Sequence, residues 1–316
     1  MSHIIAIAGG SGGLGRALVD ALKSSDTYKP LVLARKANPV LGKEIGVPIL
    51  QAEYSNPDSL VQLLEQHKID TVISTITNYD NSQSPEENLI TAAERSSVTH
   101  RYIPSVWSGF DYTTQQAKES PIAASRVALL DALRNSPLEW TAIFPGIFLD
   151  FYALSVRSHV KRRALGIDID GNAAAIAGDG EYPVYFTHTA DIANYTAALL
   201  GLERWEHKKY YLYGDTKTWN EVIAIAECAK GTKFKVAYDE IEKLKRGEIT
   251  ELPGHIQAYE VFGGLEAKGM FQTLMAGVSI YMAEGHMVYK GPLLNEMFPD
   301  IKSLTIEEVL PKKAAA

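Results

Sequence analysis

His3-Ile4-Ile5-Ala6-Ile7-Ala8-Gly9-Gly10-Ser11-Gly12-Gly13-Leu14-Gly15 opens the chain with an apolar run and then a glycine-rich loop. Residues 3–8 read as a buried strand, and residues 15–24 as a helix with Leu14, Leu18 and Leu22 at helical spacing. The loop between them satisfies G-x-x-G-x-x-G (Gly9, Gly12, Gly15) and also G-x-G-x-x-G (Gly10, Gly12, Gly15). Glycines there let the backbone turn sharply, admit phosphate oxygens against bare Cα atoms and bring helix close to strand. Free amides at the helix start and the helix dipole then favour an anion. Gly9, Gly10, Ser11, Gly12, Gly13, Leu14 and Gly15 are therefore expected to hold a pyrophosphate; a purely structural glycine turn is the plainer alternative. Gly9-x-Ser11-x-Gly13 also fits a hydrolase nucleophile elbow. That elbow normally follows several strands, and no histidine stands out as a partner for Ser11.

Working outward, strands are expected at residues 30–34, 48–52, 70–75, 101–103 and 140–144, and helices at 55–66, 86–96 and 121–134. Repeated strand–helix units without hairpin signals imply a parallel sheet covered on both faces. After about residue 150 the rhythm weakens, with helices expected at 191–200 and 219–229, the latter capped by Thr218 or Asn220. The expected fold is α/β: a Rossmann-type doubly wound parallel sheet with a smaller C-terminal substrate-binding region. Residues 1–150 would form the nucleotide-binding domain and 151–313 the second region, with about 181–200 returning to the first.

Coenzyme choice is read at the end of the second strand, where an acidic residue would bind a ribose 2′-hydroxyl. Leu33-Ala34-Arg35-Lys36 stands there instead. A guanidinium binds a 2′-phosphate in a charge-assisted, bidentate way, so Arg35 and Lys36 point to NADP(H) rather than NAD(H).

The 316 residues are 46% hydrophobic and 22% charged, enough for a sizeable core. A net charge of -7 without a long basic run argues against nucleic acid as a partner. Cys228 is the sole cysteine, which excludes an intrachain disulfide and a thiolate metal cluster; no metal is expected. No apolar run reaches membrane-spanning length and no leader pattern is read, so a cytoplasmic protein is expected, monomer or homodimer, acting on a small molecule.

Tyr-x-x-x-Lys, the usual short-chain dehydrogenase pair, occurs at Tyr213 and Lys217, where Gly214 and Asp215 suggest a turn. In the helix expected at 121–134, Ile122, Arg126, Leu129, Leu130 and Leu133 fall on one face. A charge on such a stripe must be paired or face a cavity, and the alternative is an arginine reaching out to water.

Residues 9–15 (GGSGGLG), Val72-Ile73-Ser74-Thr75, Arg101-Tyr102-Ile103-Pro104-Ser105, Gly178-Asp179-Gly180 with Asp191-Ile192-Ala193, and Phe298-Pro299-Asp300-Ile301 together carry a resemblance. The chain resembles the NmrA-like and isoflavone-reductase-like atypical short-chain dehydrogenases, especially fungal ones, over essentially its whole length. The resemblance implies NADPH as hydride donor and an aromatic or other secondary-metabolite substrate. It also implies that Ser74, Thr75, Ile76 and Thr77 line the cofactor, that Glu53 lies near the adenine, and that Pro104 and Ser105 approach the nicotinamide. Plant members carry a general acid/base lysine in Ala-Gly-Lys-Val; Ala124-Ser125-Arg126-Val127 puts Arg126 there. Their Pro-Ser-Glu-Phe becomes Pro104-Ser105-Val106-Trp107.

Arginine stays charged in any ordinary protein environment, so Arg126 could bind a developing oxyanion but not abstract a proton. Tyr112 and Lys118, on the expected loop before that helix, are the nearby proton donors in sequence. Trp107, Phe148 and Tyr152 are expected either as an aromatic wall for substrate or as core. Two readings stand: an NADPH-dependent reductase, or an NADP(H)-binding sensor without chemistry, with a redox-neutral enzyme retaining NADP(H) between them.

Overall fold

In a computed structural model the residues described are 3–76, 85–118, 121–287 and 289–312. Thr77 and Ser120, the expected cap of the helix at Pro121, lie outside them. The chain forms two compact units, one containing residues up to 144 with 189–212 and 291–301, the other 145–188, 213–290 and residues from 302 on.

The first unit begins with β1 (His3–Ala8), α1 (Gly13–Leu22), β2 (Tyr28–Ala34), α2 (Pro39–Ile45), β3 (Ile49–Gln51) and α3 (Pro57–Gln66). It continues with β4 (Thr71–Ser74), α4 (Pro85–Arg95), β5 (Arg101–Ile103), α5 (Thr114–Ala117), α6 (Pro121–Arg134), β6 (Glu139–Trp140) and β7 (Ala142–Phe144). Six strands form a parallel sheet in the order β3-β2-β1-β4-β5-β6, the doubly wound arrangement expected from the sequence. Every residue of β4 is buried, as a central parallel strand covered on both faces must be. Leu14, Leu18 and Leu22 are buried along α1, which packs on the helix Thr189–Leu200. Complete burial of Leu18 contributes about 1.5–3 kcal/mol.

Differences from the sequence expectations have local causes. α1 starts at Gly13, inside the glycine loop, where low glycine helix propensity hides the start. β2 extends back to Tyr28 through Pro30, because β3 pairs only with Val32 to Ala34 and no ladder on that side needs the missing amide. The single strand expected at 140–144 is two. Thr141 divides them, its amide bonded to the Tyr102 carbonyl and its hydroxyl donated to the His207 carbonyl, and the chain changes partner there. β7 then pairs with the strand Lys209–Tyr211.

The second unit holds two three-stranded sheets, one from Ile167–Asp168, Ala173–Ala177 and Lys235–Asp239, the other from Ile147–Phe148, Pro183–Thr187 and Asp215–Thr218. Asp215–Thr218 is thus a strand and not a turn, and Lys217 pairs with Asp215 and Glu307. Thr218, one of the two expected caps, closes a capping box with Glu221 on the helix Trp219–Lys230. The helices Ile241–Lys245, His255–Phe262, Lys268–Ala283 and Ile306–Val309 also belong to this unit.

At the switch point between β1 and β4 the packing is tight. A Cβ on Gly15 would lie 2.5 Å from the Gly9 carbonyl and from Thr75 Oγ1. Gly15→Ala should lower stability by about 1–3 kcal/mol, as overpacked sites do; a urea midpoint equal to that of the unaltered protein would refute this.

Candidate functional site

The carboxyl ends of β1, β2, β4 and β5 gather most of the residues singled out in the first unit. Gly9 has φ +81°, a left-handed conformation that glycine adopts without strain. Thr75, expected along the cofactor, is a brace: its hydroxyl and amide both donate to the Ala8 carbonyl at 2.8 Å. Gly12 differs from its neighbours. A Cβ there would meet nothing within 4 Å, and its extended backbone is open to any residue. It caps α1 without a side-chain hydrogen bond, and the first turn carries no acid. The first amides of α1, from Gly13, Leu14 and Gly15, therefore have an uncrowded approach and a favourable dipole for an anion. Ser11 is exposed beside them.

Arg35 and Lys36 follow β2 and are exposed, without a hydrogen bond or ion pair among the described residues. Tyr54 donates its hydroxyl to the Leu33 carbonyl at 3.1 Å and feels the Arg35 charge. Exposed Glu53 accepts a long 3.4 Å bond from Asn56.

At the end of β4 and past β5, Ser74 and Ser105 are buried, and Ser105 donates its hydroxyl to the Ile76 carbonyl at 2.9 Å. Pro104 is buried and its carbonyl accepts the Val106 amide. Trp107, half-buried, donates its indole N–H to the Ser74 carbonyl at 2.7 Å, which fixes the ring beside the end of β4. Arg126 on α6 is half-buried and, among the described residues, forms no hydrogen bond or ion pair. Tyr112 is half-buried, its ring 5.8 Å from that of Phe110. Lys118 is exposed at the end of α5, a short helix with a Thr113–Gln116 capping box where the sequence suggested loop. In the second unit, Phe148 is half-buried against Phe151. Tyr152 is fully buried, bonded to the Leu165 carbonyl and edge-on to Phe186 and Trp219; it serves that unit's core.

Sequence reasoning missed Glu86. An acid in the first turn of α4 reads as a solvated, dipole-complementing residue, yet Glu86 is 3% exposed. It accepts the Ser105 amide at 2.7 Å. Burial pushes its carboxyl up to about 7, opposed in turn by the Ser105 amide, the Arg126 charge and the Ser74 and Tyr102 hydroxyls. Because the folded-state value exceeds the unfolded 4.5, the protonated form favours folding. This stabilisation is complete below pH 4.5 and lost as pH rises through about 7, on the order of 3 kcal/mol in all. Urea unfolding across that interval should show Glu86→Gln lacking this part of the slope; an identical slope would refute it.

A profile of the NmrA-like family matches residues 1–282. An oxidoreductase of Botryotinia fuckeliana, BOA1, is 30% identical, covering 94% of this chain and 95% of that protein. The phenylcoumaran benzylic ether reductase Betv6 of Betula pendula is 25% identical over 97% of each. Among solved structures, the binary complex of leucoanthocyanidin reductase with NADPH from Vitis vinifera has the same fold, with TM-score 0.71 and 18% identity over 96% of this chain and 97% of that one. With the family profile spanning most of its length and a relative at this identity over nearly all of it, the chain belongs to the NmrA-like family.

Proposed function

We propose that this protein is an NADPH-dependent reductase of a small organic acceptor, aromatic or otherwise of the secondary-metabolite kind. The observation that carries this reading is the start of α1, where Gly12 leaves open space beside uncapped amides. Arg35, exposed and unpaired among the described residues, supports the choice of a 2′-phosphorylated coenzyme. The relatives named above as an oxidoreductase and a reductase, and the fold shared with a reductase–NADPH complex, support the same reading.

In this reading the amides of Gly13, Leu14 and Gly15 hold the pyrophosphate, and Arg35, with Lys36 beside it, binds the 2′-phosphate. Glu53 lies towards the adenine, while Ser74, Ile76, Pro104 and Ser105 line the nicotinamide end. When bound, NADPH supplies a hydride to the acceptor carbon. Arg126 presents its unpaired charge to the acceptor oxygen, where negative charge gathers, and Trp107 offers a fixed aromatic surface. Tyr112, half-buried, and Lys118, exposed, are the proton-donor candidates of this reading. No helix of the described residues is long and apolar enough to cross a membrane, and a cytoplasmic location belongs to the same reading.

Nicotinamide absorbance with a panel of aromatic carbonyls, enones and benzylic ethers tests the reaction. Steady NADPH oxidation is expected; tight binding of both NADPH and NADP+ without turnover would replace the reductase by a dinucleotide sensor. Arg35→Glu should weaken NADPH binding by roughly tenfold or more, about 1.4 kcal/mol per decade, and leave NADH binding nearly unchanged. Equal losses for both coenzymes would remove Arg35 from this role. Gly12→Ala should hold stability within about 0.5 kcal/mol while weakening NADPH binding, and unchanged calorimetric binding would count against the open face of the loop.

A further inference from the structure

Behind the ends of β4 and β5, one buried carboxyl connects several residues assigned to the nicotinamide end. Glu86 accepts the Ser105 amide at 2.7 Å, and Ser105 passes its hydroxyl to the Ile76 carbonyl. Ser74 lies against the same carboxyl and receives the Trp107 indole on its carbonyl. α6 packs on α4 and brings Arg126 within electrostatic reach of Glu86, yet the guanidinium makes no ion pair or hydrogen bond among the described residues. An unpaired cation and a buried acid thus stand close together without being locked.

The other titratable groups facing Glu86 are Tyr102 from β5 and Tyr54 after β3, both with their hydroxyl pKa raised chiefly by burial. Arg35 acts on Tyr54. From α3, which also packs on α4, Asp58 pairs with Arg95 and Glu65 with Ser97. Burial pushes the Glu86 carboxyl up to about 7.

We propose that Glu86 is a positioning residue for Arg126: the proton on its carboxyl decides whether the guanidinium is balanced from behind or is free to bind an anionic group on the acceptor. What Arg126 touches rests on the reductase reading. With Glu86 neutral, Arg126 carries an uncompensated charge into the site. With Glu86 ionised, part of that attraction is turned inward. Acceptors carrying a carboxylate next to the reducible bond are therefore favoured on the acid side of neutrality.

The probe is cinnamate, whose carboxylate is ionised throughout, titrated calorimetrically against the protein saturated with NADP+ at pH 6 and pH 8. Cinnamate should bind the unaltered protein at least about fivefold more tightly at pH 6, a modest coupling between proton and ligand. Glu86→Gln keeps an oxygen for the Ser105 amide but cannot ionise, so it should bind with the pH 6 affinity at both values. Arg126→Gln should bind weakly at both, and Arg126→Lys should restore the step. A step of full size in Glu86→Gln, no step in the unaltered protein, or no binding of cinnamate at all would overturn the proposal. Turnover is not read here, so a protein inert towards every acceptor sinks the reductase reading alone, and an active enzyme without the step sinks only this proposal.

Discussion

The close approach of Gly9, Gly15 and Thr75 across the join between β1 and β4 is the constraint on which the rest of the nucleotide-binding unit depends. Thr75 ties the end of β4 to the Ala8 carbonyl, and its hydroxyl occupies the space that a side chain at Gly9 or Gly15 would need. With that space filled, α1 starts directly over the sheet with its amides facing outward. Gly9 and Gly15 thus answer to packing, while Gly12 answers to nothing in the protein itself. A glycine that the fold does not need is the more informative one for ligand binding.

Electrostatics tell a similar story at two places. The chain carries a net charge of -7, and several of the arginines the structure describes on its surface are paired, as Arg95 with Asp58 and Arg162 with Asp170 show. Arg35 and Arg126 are among those without an ion pair in the described residues, and they stand at carboxyl ends of the sheet or on the helix beside them. Pairing would have screened them; leaving them bare costs little stability.

The sheet and the glycine loop were legible because they depend on local pattern: an apolar run, a turn, and leucines at helical spacing. α6 was legible for the same reason, with both boundaries as expected. α2 carried its signals, an Asn38 cap, Pro39 at the start and left-handed Gly46 at the end, but seven residues are too few for periodicity to register. The helix Lys268–Ala283 exposes Met270 and buries few of its residues, which blurs its apolar stripe. Glu86 was illegible on other grounds. Its burial depends on an amide from the segment after β5 and a charge from α6, and neither is encoded near position 86. Tyr152 shows the converse, an aromatic that could have faced a substrate but is absorbed by its own unit's core.

The change of partner at Thr141 also bears on how the chain is made. The Thr141 hydroxyl and the β7 ladder wait for a segment that begins sixty-six residues later, at His207. Until that segment is in place, β7 offers unpaired amides and carbonyls to any passing strand. Such non-local closure is slow to nucleate, and among the described residues β7 has no other ladder partner.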